Sequence, residues 1–239
     1  MNWPLQKVRS LRNKQLQTQT TGKEFAVEEK KPCLSCVDCH VYHCFYEDKA
    51  YPDFCLTTTM DSDTYKRAMD ALKSPEDNRV AVAAAQVEYE GYGKRTRVEE
   101  VIQFARKIGA KKLGIATCLG LIEESRTLTK ILRNNGFEVY GVICKTGATL
   151  KTEIGIPQEC EAVGANMCNP VLQAELLNDA GTELNLIMGL CVGHDSLFIK
   201  HSNALCTSVV TKDRVLGHNP AAALYTSGMY YQRLFEDQR

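Results

Sequence analysis

Along this chain the apolar positions change their rhythm at about residue 110. Before it they recur at helical spacing. A stretch from Thr64 to Leu72, with Asp61 or Ser62 as cap, reads as a helix, and a second runs from about Asp77 to Glu90. Thr96 opens a third, in which Val98, Val101, Ile102, Ala105 and Ile108 share one face and Gly109 supplies the stop. From residue 111 short apolar blocks alternate with helical stretches. KKLGIAT, FEVYGVI, ELNLIMGL and LCTSVVT read as strands, and LIEESRTLTKILRNNG, NPVLQAELLNDAG and SLFIKHS as helices. Asn169 and Pro170 are a cap and first-turn pair, and Gly181 closes that helix. The segment from Pro220, capped by Asn219, is expected to be mostly helical.

Strands that alternate with helices pair in parallel and take helices on both faces. The expected fold is therefore α/β, a Rossmann-like parallel sheet with flanking helices, preceded by a small cysteine-rich metal-binding module. The divisions are a polar tail over 1–31, the cysteine module over 32–60, and a helical lead-in with the α/β domain over 61–239. The module is too short to bury a core of its own, and a bound metal would replace that core.

Composition narrows the function. Lys+Arg and Asp+Glu balance at 29 each, so no global field draws in nucleic acid or an anionic membrane. No apolar run approaches the roughly eighteen residues of a membrane span. The basic, polar start has no apolar stretch of signal-peptide length, so a cytoplasmic location is expected. In that reducing setting, eleven cysteines point to metal ligands or reactive thiols rather than to disulfides.

Five cysteines fall within 23 residues: Cys33, Cys36, Cys39, Cys44 and Cys55. Two-residue gaps let neighbouring thiolates reach one centre, and four thiolates suit either a 4Fe-4S cluster or zinc. The set chosen is Cys36, Cys39, Cys44 and Cys55, with Cys33 spare. The Cys-x2-Cys-x4-Cys spacing lacks the paired knuckles of a zinc ribbon, which puts iron–sulfur first and zinc as the alternative. His40 and His43 are candidates for neighbours of such a centre. The competing reading is a group of free thiols without metal.

A second set is scattered through the α/β half. Cys118, Cys144 and Cys191 each follow a strand, and Cys168 precedes a helix cap. Ligands of open parallel sheets bind at the carboxyl ends of the strands, so these four are expected to converge on one crevice. There they would bind a second cofactor, such as another metal cluster, or act as redox thiols. Lys145 would lower a neighbouring thiol, and Cys191 with His194 would be the catalytic pair, the imidazole moving a proton. His218 and Asn219 lie at the same expected edge. Buried cysteines at strand ends are otherwise ordinary packing residues. Cys160, Cys206 and the tyrosines Tyr89, Tyr92, Tyr225, Tyr230 and Tyr231 are read as packing residues. No G-x-G-x-x-G loop, P-loop or H-E-x-x-H occurs, which argues against a standard nicotinamide or ATP enzyme.

The cysteine module, MCNPVLQAELLN, LIMGLCVGHDSLFIKHS and KDRVLGHNPAAALY together resemble a family of uncharacterised metal-binding proteins of anaerobic bacteria and archaea, a domain of unknown function. The likeness covers about residues 33 to 226, with Cys33 as the departure. It implies metal binding and an anaerobic setting, and it implies no reaction. The leading expectation is an iron–sulfur oxidoreductase, whose partner is an electron-transfer protein or a small-molecule substrate. A metal or cofactor handler and a structural zinc module are the alternatives. The oligomeric state is not legible.

Overall fold

The blocks rich in Val, Ile and Leu become strands because pairing satisfies their backbone while helices cover both of their faces. The computed structural model describes residues 34–237. The polar tail and Cys33 lie outside the described residues. The chain divides into two units, with the boundary between Tyr65 and Lys66.

The first unit holds a 3-10 turn at Cys36–Asp38 and two single-turn helices, α1 (His43–Tyr46) and α2 (Leu56–Thr59). None of residues 34–65 is buried. Helices this short gain little from propensity and need an outside source of stability. Tyr42 and Glu47, on either side of α1, both have positive φ, so the chain is wound tightly around Cys44.

Helix α3 (Ser62–Leu72) carries the chain from one unit to the next, and α4 (Pro75–Gly91) and α5 (Arg97–Lys107) follow. Helix α5 starts where its capping box dictates. Glu99 Oε2 accepts from the Thr96 amide at 2.7 Å, and Thr96 Oγ1 accepts from the Glu99 amide. The α/β part then runs β1 (Lys112–Thr117), α6 (Ile122–Asn134), β2 (Glu138–Ile143), α7 (Pro170–Asp179), β3 (Leu184–Met188), α8 (His194–His201) and β4 (Leu205–Val210). All pairs are parallel, in the order β2-β1-β3-β4. The expected fold class is therefore the observed one.

Alternation along the strands divides the core into two layers. Leu113, Ile115, Leu184, Leu186 and Met188 pack with Val101, Ile102 and Ala105 of α5 and Leu128 and Leu132 of α6. Ala116, Val142 and Ile187 pack with Ala174 and Leu177 of α7 and Phe198 of α8. The chain leaves β1 toward β2 on one side and enters β4 from β3 on the other. A crevice is thereby expected between the carboxyl ends of β1 and β3. There the pairing of β3 with β4 skips a residue, so that Met188 faces Val210.

Some expectations fail. The segment after β4 is not mostly helical: it contains α9 (Ala221–Tyr225), capped by Pro220 rather than Asn219, and a 3-10 turn at Gln232–Phe235. Neither has a buried residue to hold a longer helix in place. Tyr89, Tyr92, Tyr225 and Tyr230 are exposed and do not pack in the core. Tyr89 lies two residues from buried Val87, which turns it to the outer face of α4. Cys160 is exposed as well. Among the described residues no helix is long and apolar enough to cross a membrane.

Candidate functional site

Backbone hydrogen bonds set the cysteine-bearing segments side by side. The Cys118 amide donates to Met188 O at 3.1 Å, the Cys144 amide to Thr117 O at 2.9 Å, and the Asn169 amide to Cys144 O at 2.8 Å. The first two continue the strand ladders. The third is added by the cap of α7, where Asn169 Oδ1 accepts from the Leu172 amide at 2.9 Å. Cys118 and Cys144 are buried, and Cys168 is half-buried above them. Beneath them lies Gln173, fully buried, whose Nε2 donates to Thr117 O and Val142 O at 3.2 and 2.7 Å. Its Oε1 has no hydrogen-bond partner in the structure.

The sulfurs of Cys118, Cys144 and Cys168 form a relay with Cys144 in the middle. Hydrogen bonds to both neighbours, and burial, keep the proton on Cys144 and push its thiol far up. Both outer thiols are lowered, first by the hydrogen bond from Cys144. One S–H serves one neighbour at a time, so each outer thiolate also needs other partners. Cys118 has the Gly120 amide and Lys212, and Cys168 has Lys145 and the charge of His194. The Leu119 amide additionally donates to the Cys144 sulfur at 3.4 Å.

Cys191 joins from β3. Gly189 turns the chain with φ +62°, and a Cβ there would stand 2.2 Å from Leu121 Cδ1, so both conformation and space require glycine. Cys191 O then accepts from the His194 and Asp195 amides as α8 begins. Its sulfur receives a hydrogen bond from Arg214 Nη2 at 3.0 Å. The guanidinium also feels Cys118 and Cys168, which places all four sulfurs in one electrostatic neighbourhood.

Lys212 and Arg214 were not singled out in the sequence. The detectable signal was KDR immediately after the fourth strand, at the edge where the cysteines end. Lys212 runs past Gly189, and its Nζ lies 3.9 Å from where a Cβ on Gly120 would stand. The loop bearing both cations is closed on itself. Asp213 Oδ1 accepts from the Val215 and Leu216 amides, and the Asp213 amide donates to His218 Nδ1 at 3.2 Å. His218 thus fastens this loop through Nδ1. Cys206, on β4, is partly buried and raised by that burial.

In the first unit Cys36 and Cys44 are exposed and Cys39 and Cys55 half-exposed. His43 Nδ1 accepts from the Lys49 amide, and its ring meets Tyr51 edge-on. Among the described residues no three His, Cys, Asp or Glu side chains stand together as a metal-holding group. The four thiols, on a segment with no buried residue, are of the donor type that a thiolate-held metal takes.

A lowered thiol makes a prediction about Cys168, whose value is pushed down to about 5. Its thiolate fraction stays constant above that value, so its alkylation by iodoacetamide is expected to be flat from about pH 6.5 to 8.5 and to fall under more acidic conditions. In the unfolded chain, with an ordinary thiol near 8.5, the same rate rises about tenfold per pH step up to about 8. Peptide mapping after partial alkylation measures both; a folded-state profile that follows the unfolded one contradicts the relay.

Two similarities cover much of the part of the chain that carries these cysteines. The family described as protein of unknown function DUF1847 matches residues 55–209. That span holds Cys118, Cys144, Cys168, Cys191 and His194 but leaves out Cys36, Cys39, Cys44, Lys212, Arg214 and His218. An uncharacterised protein of Methanocaldococcus jannaschii, MJ0455, is 43% identical over 174 residues, 73% of this chain and 89% of the relative. The chain belongs to the DUF1847 family.

Proposed function

We propose that the protein is a redox-active iron–sulfur protein, in which Cys36, Cys39, Cys44 and Cys55 hold a 4Fe-4S cluster and the sheet-edge cysteines are its redox thiols. The observation that carries this reading is the gathering of the segments bearing Cys118, Cys144 and Cys168 side by side, through the backbone bonds of Cys118, Cys144 and Asn169, with the Cys191 sulfur held nearby by Arg214. Between the two outer sulfurs, Cys144 is pushed up by its sulfur neighbours and by burial and keeps its proton. The outer sulfurs, by contrast, are held as thiolates, the form that attacks disulfides and other electrophiles. His194 acts on Cys168 through its charge, and in this reading it would move the proton there. An electron-transfer protein or a small molecule would be the partner.

Metal or cofactor handling is the second reading, favoured by the exposure of Cys36 and Cys44, since a handed-over metal needs accessible ligands. Anaerobic purification with iron, zinc and sulfide analysis and a visible spectrum tests both. About four irons per chain, with matching sulfide, is the expected result. About eight would put a second cluster on the sheet-edge thiols and overturn their role as free redox thiols. A colourless protein with zinc would overturn the iron–sulfur centre.

A further inference from the structure

The four sheet-edge cysteines are not equivalent. Cys168 is reachable from solvent, and Cys144 lies buried directly behind it. The Asn169 amide donates to Cys144 O, which sets the segment bearing Cys168 beside the end of β2. Neighbouring strands lie about 4.8 Å apart, within the span that a disulfide bridges. Thus one cysteine is open to an incoming sulfur, and the other lies in the core layer against which it packs.

Basic side chains flank these thiols. Lys145 and His194 act on Cys168, Lys212 on Cys118, and Arg214 on Cys191. The nearby carboxylates are turned to their own loops: Asp213 Oδ1 to the Val215 and Leu216 amides, and Asp195 Oδ1 to the Ser196 amide. Once Cys168 is bonded to another sulfur it loses its negative charge, while Lys145, whose Nζ also donates to Asn166 O, and His194 stay in its neighbourhood.

We propose that Cys168 and Cys144 form a thiol–disulfide exchange pair whose substrate is a small disulfide bearing carboxylates, with Cys168 as the attacking sulfur and Cys144 as the resolving sulfur. This rests on the reading of the sheet-edge cysteines as redox thiols. In the first step Cys168 Sγ attacks one sulfur of R–S–S–R. A Cys168–S–S–R bond forms, the original S–S bond breaks, and R–S⁻ leaves with the proton of Cys144. In the second step the Cys144 thiolate attacks Cys168 Sγ. The Cys144–Cys168 bond forms, and the second R–S⁻ leaves and takes its proton from water. Two electrons pass from the cysteine pair to the substrate, one disulfide per chain. Cys118, held by Gly120 and Lys212, is a spectator that keeps the S–H of Cys144 oriented.

The test uses the full reduced chain and three aliphatic disulfides: dithiodipropionate with two carboxylates, neutral 2-hydroxyethyl disulfide, and cationic cystamine. Rates are followed at Cys168 by mass spectrometry, and the bridge is located by peptide mapping. The expected result is a Cys144–Cys168 bridge, formed at least about tenfold faster from the dianion than from the dication at low salt, with the difference shrinking in about 1 M salt. Cys144→Ser should stop at the mixed disulfide on Cys168, and the wild-type map reports the pairing even where that variant folds poorly. A Cys144–Cys168 bridge formed at equal rates from all three disulfides overturns the substrate class and leaves the redox thiols standing. A bridge between Cys168 and Cys191 overturns the assignment of Cys144. A Cys168 that stays unreactive in the reduced chain overturns the proposal together with the redox reading on which it rests.

Discussion

Replacing Gly114 by alanine is expected to destabilise the α/β domain by about 2–4 kcal/mol. A Cβ at this position on β1 would stand 2.0 Å from Asn185 Oδ1 and 3.0 Å from Leu177 Cδ1. Asn185 has nowhere to go. It is fully buried, its Oδ1 accepts from Thr182 Oγ1 at 2.7 Å, and its Nδ2 donates to Ser202 Oγ at 2.7 Å. Moving it leaves buried Asn185 and Thr182 and half-buried Ser202 poorly paired, at a cost on the order of 1 kcal/mol or more for each buried group, and also disturbs α7 through Leu177. Urea unfolding followed by circular dichroism measures the loss. A midpoint unchanged from the wild type would show that the network yields without cost.

The second large effect falls on the first unit. On the proposed iron–sulfur reading, Cys39→Ser is expected to reduce iron from about four atoms per chain to none. Without the metal, residues 34–65 should become the earliest site of proteolysis, because none of them is buried. The urea midpoint of the α/β domain should hold, since its core layers are built from later residues. Cys191→Ser is expected to do the opposite, keeping the iron while removing the thiol that Arg214 holds. Iron analysis and limited proteolysis of the two variants read this out. If Cys191→Ser also strips the iron, the two groups of cysteines do not act as separate sites.

Much of the scaffold was legible residue by residue. Thr96 with Glu99, and Asn169 with Pro170, are local devices whose partners lie within one turn, so they work wherever the chain places them. The apolar blocks of β1 and β3 could be read because both faces of these strands are covered. The tyrosines and the C-terminal segment were misread for the complementary reason: an aromatic ring or a helix-friendly stretch packs when something faces it. Tyr89 lies on the outer side of α4, and α9 buries no residue.

The same division runs through the site. By itself the sequence determined that Cys118, Cys144 and Cys191 follow strands and that Cys168 precedes a helix cap. Parallel pairing then brings strand ends to one edge as a matter of topology. Tertiary structure decided which sulfurs touch, which one keeps the proton, and which cations serve them. Those outcomes depend on the Asn169–Cys144 backbone bond, on the room left beside Gly120 and Gly189 for Lys212, and on the loop that Asp213 and His218 close behind Arg214. The physical reason is range. Caps and strand periodicity act over a few residues, whereas a thiol's protonation is set by groups a few ångströms away in space and up to about a hundred positions away in sequence.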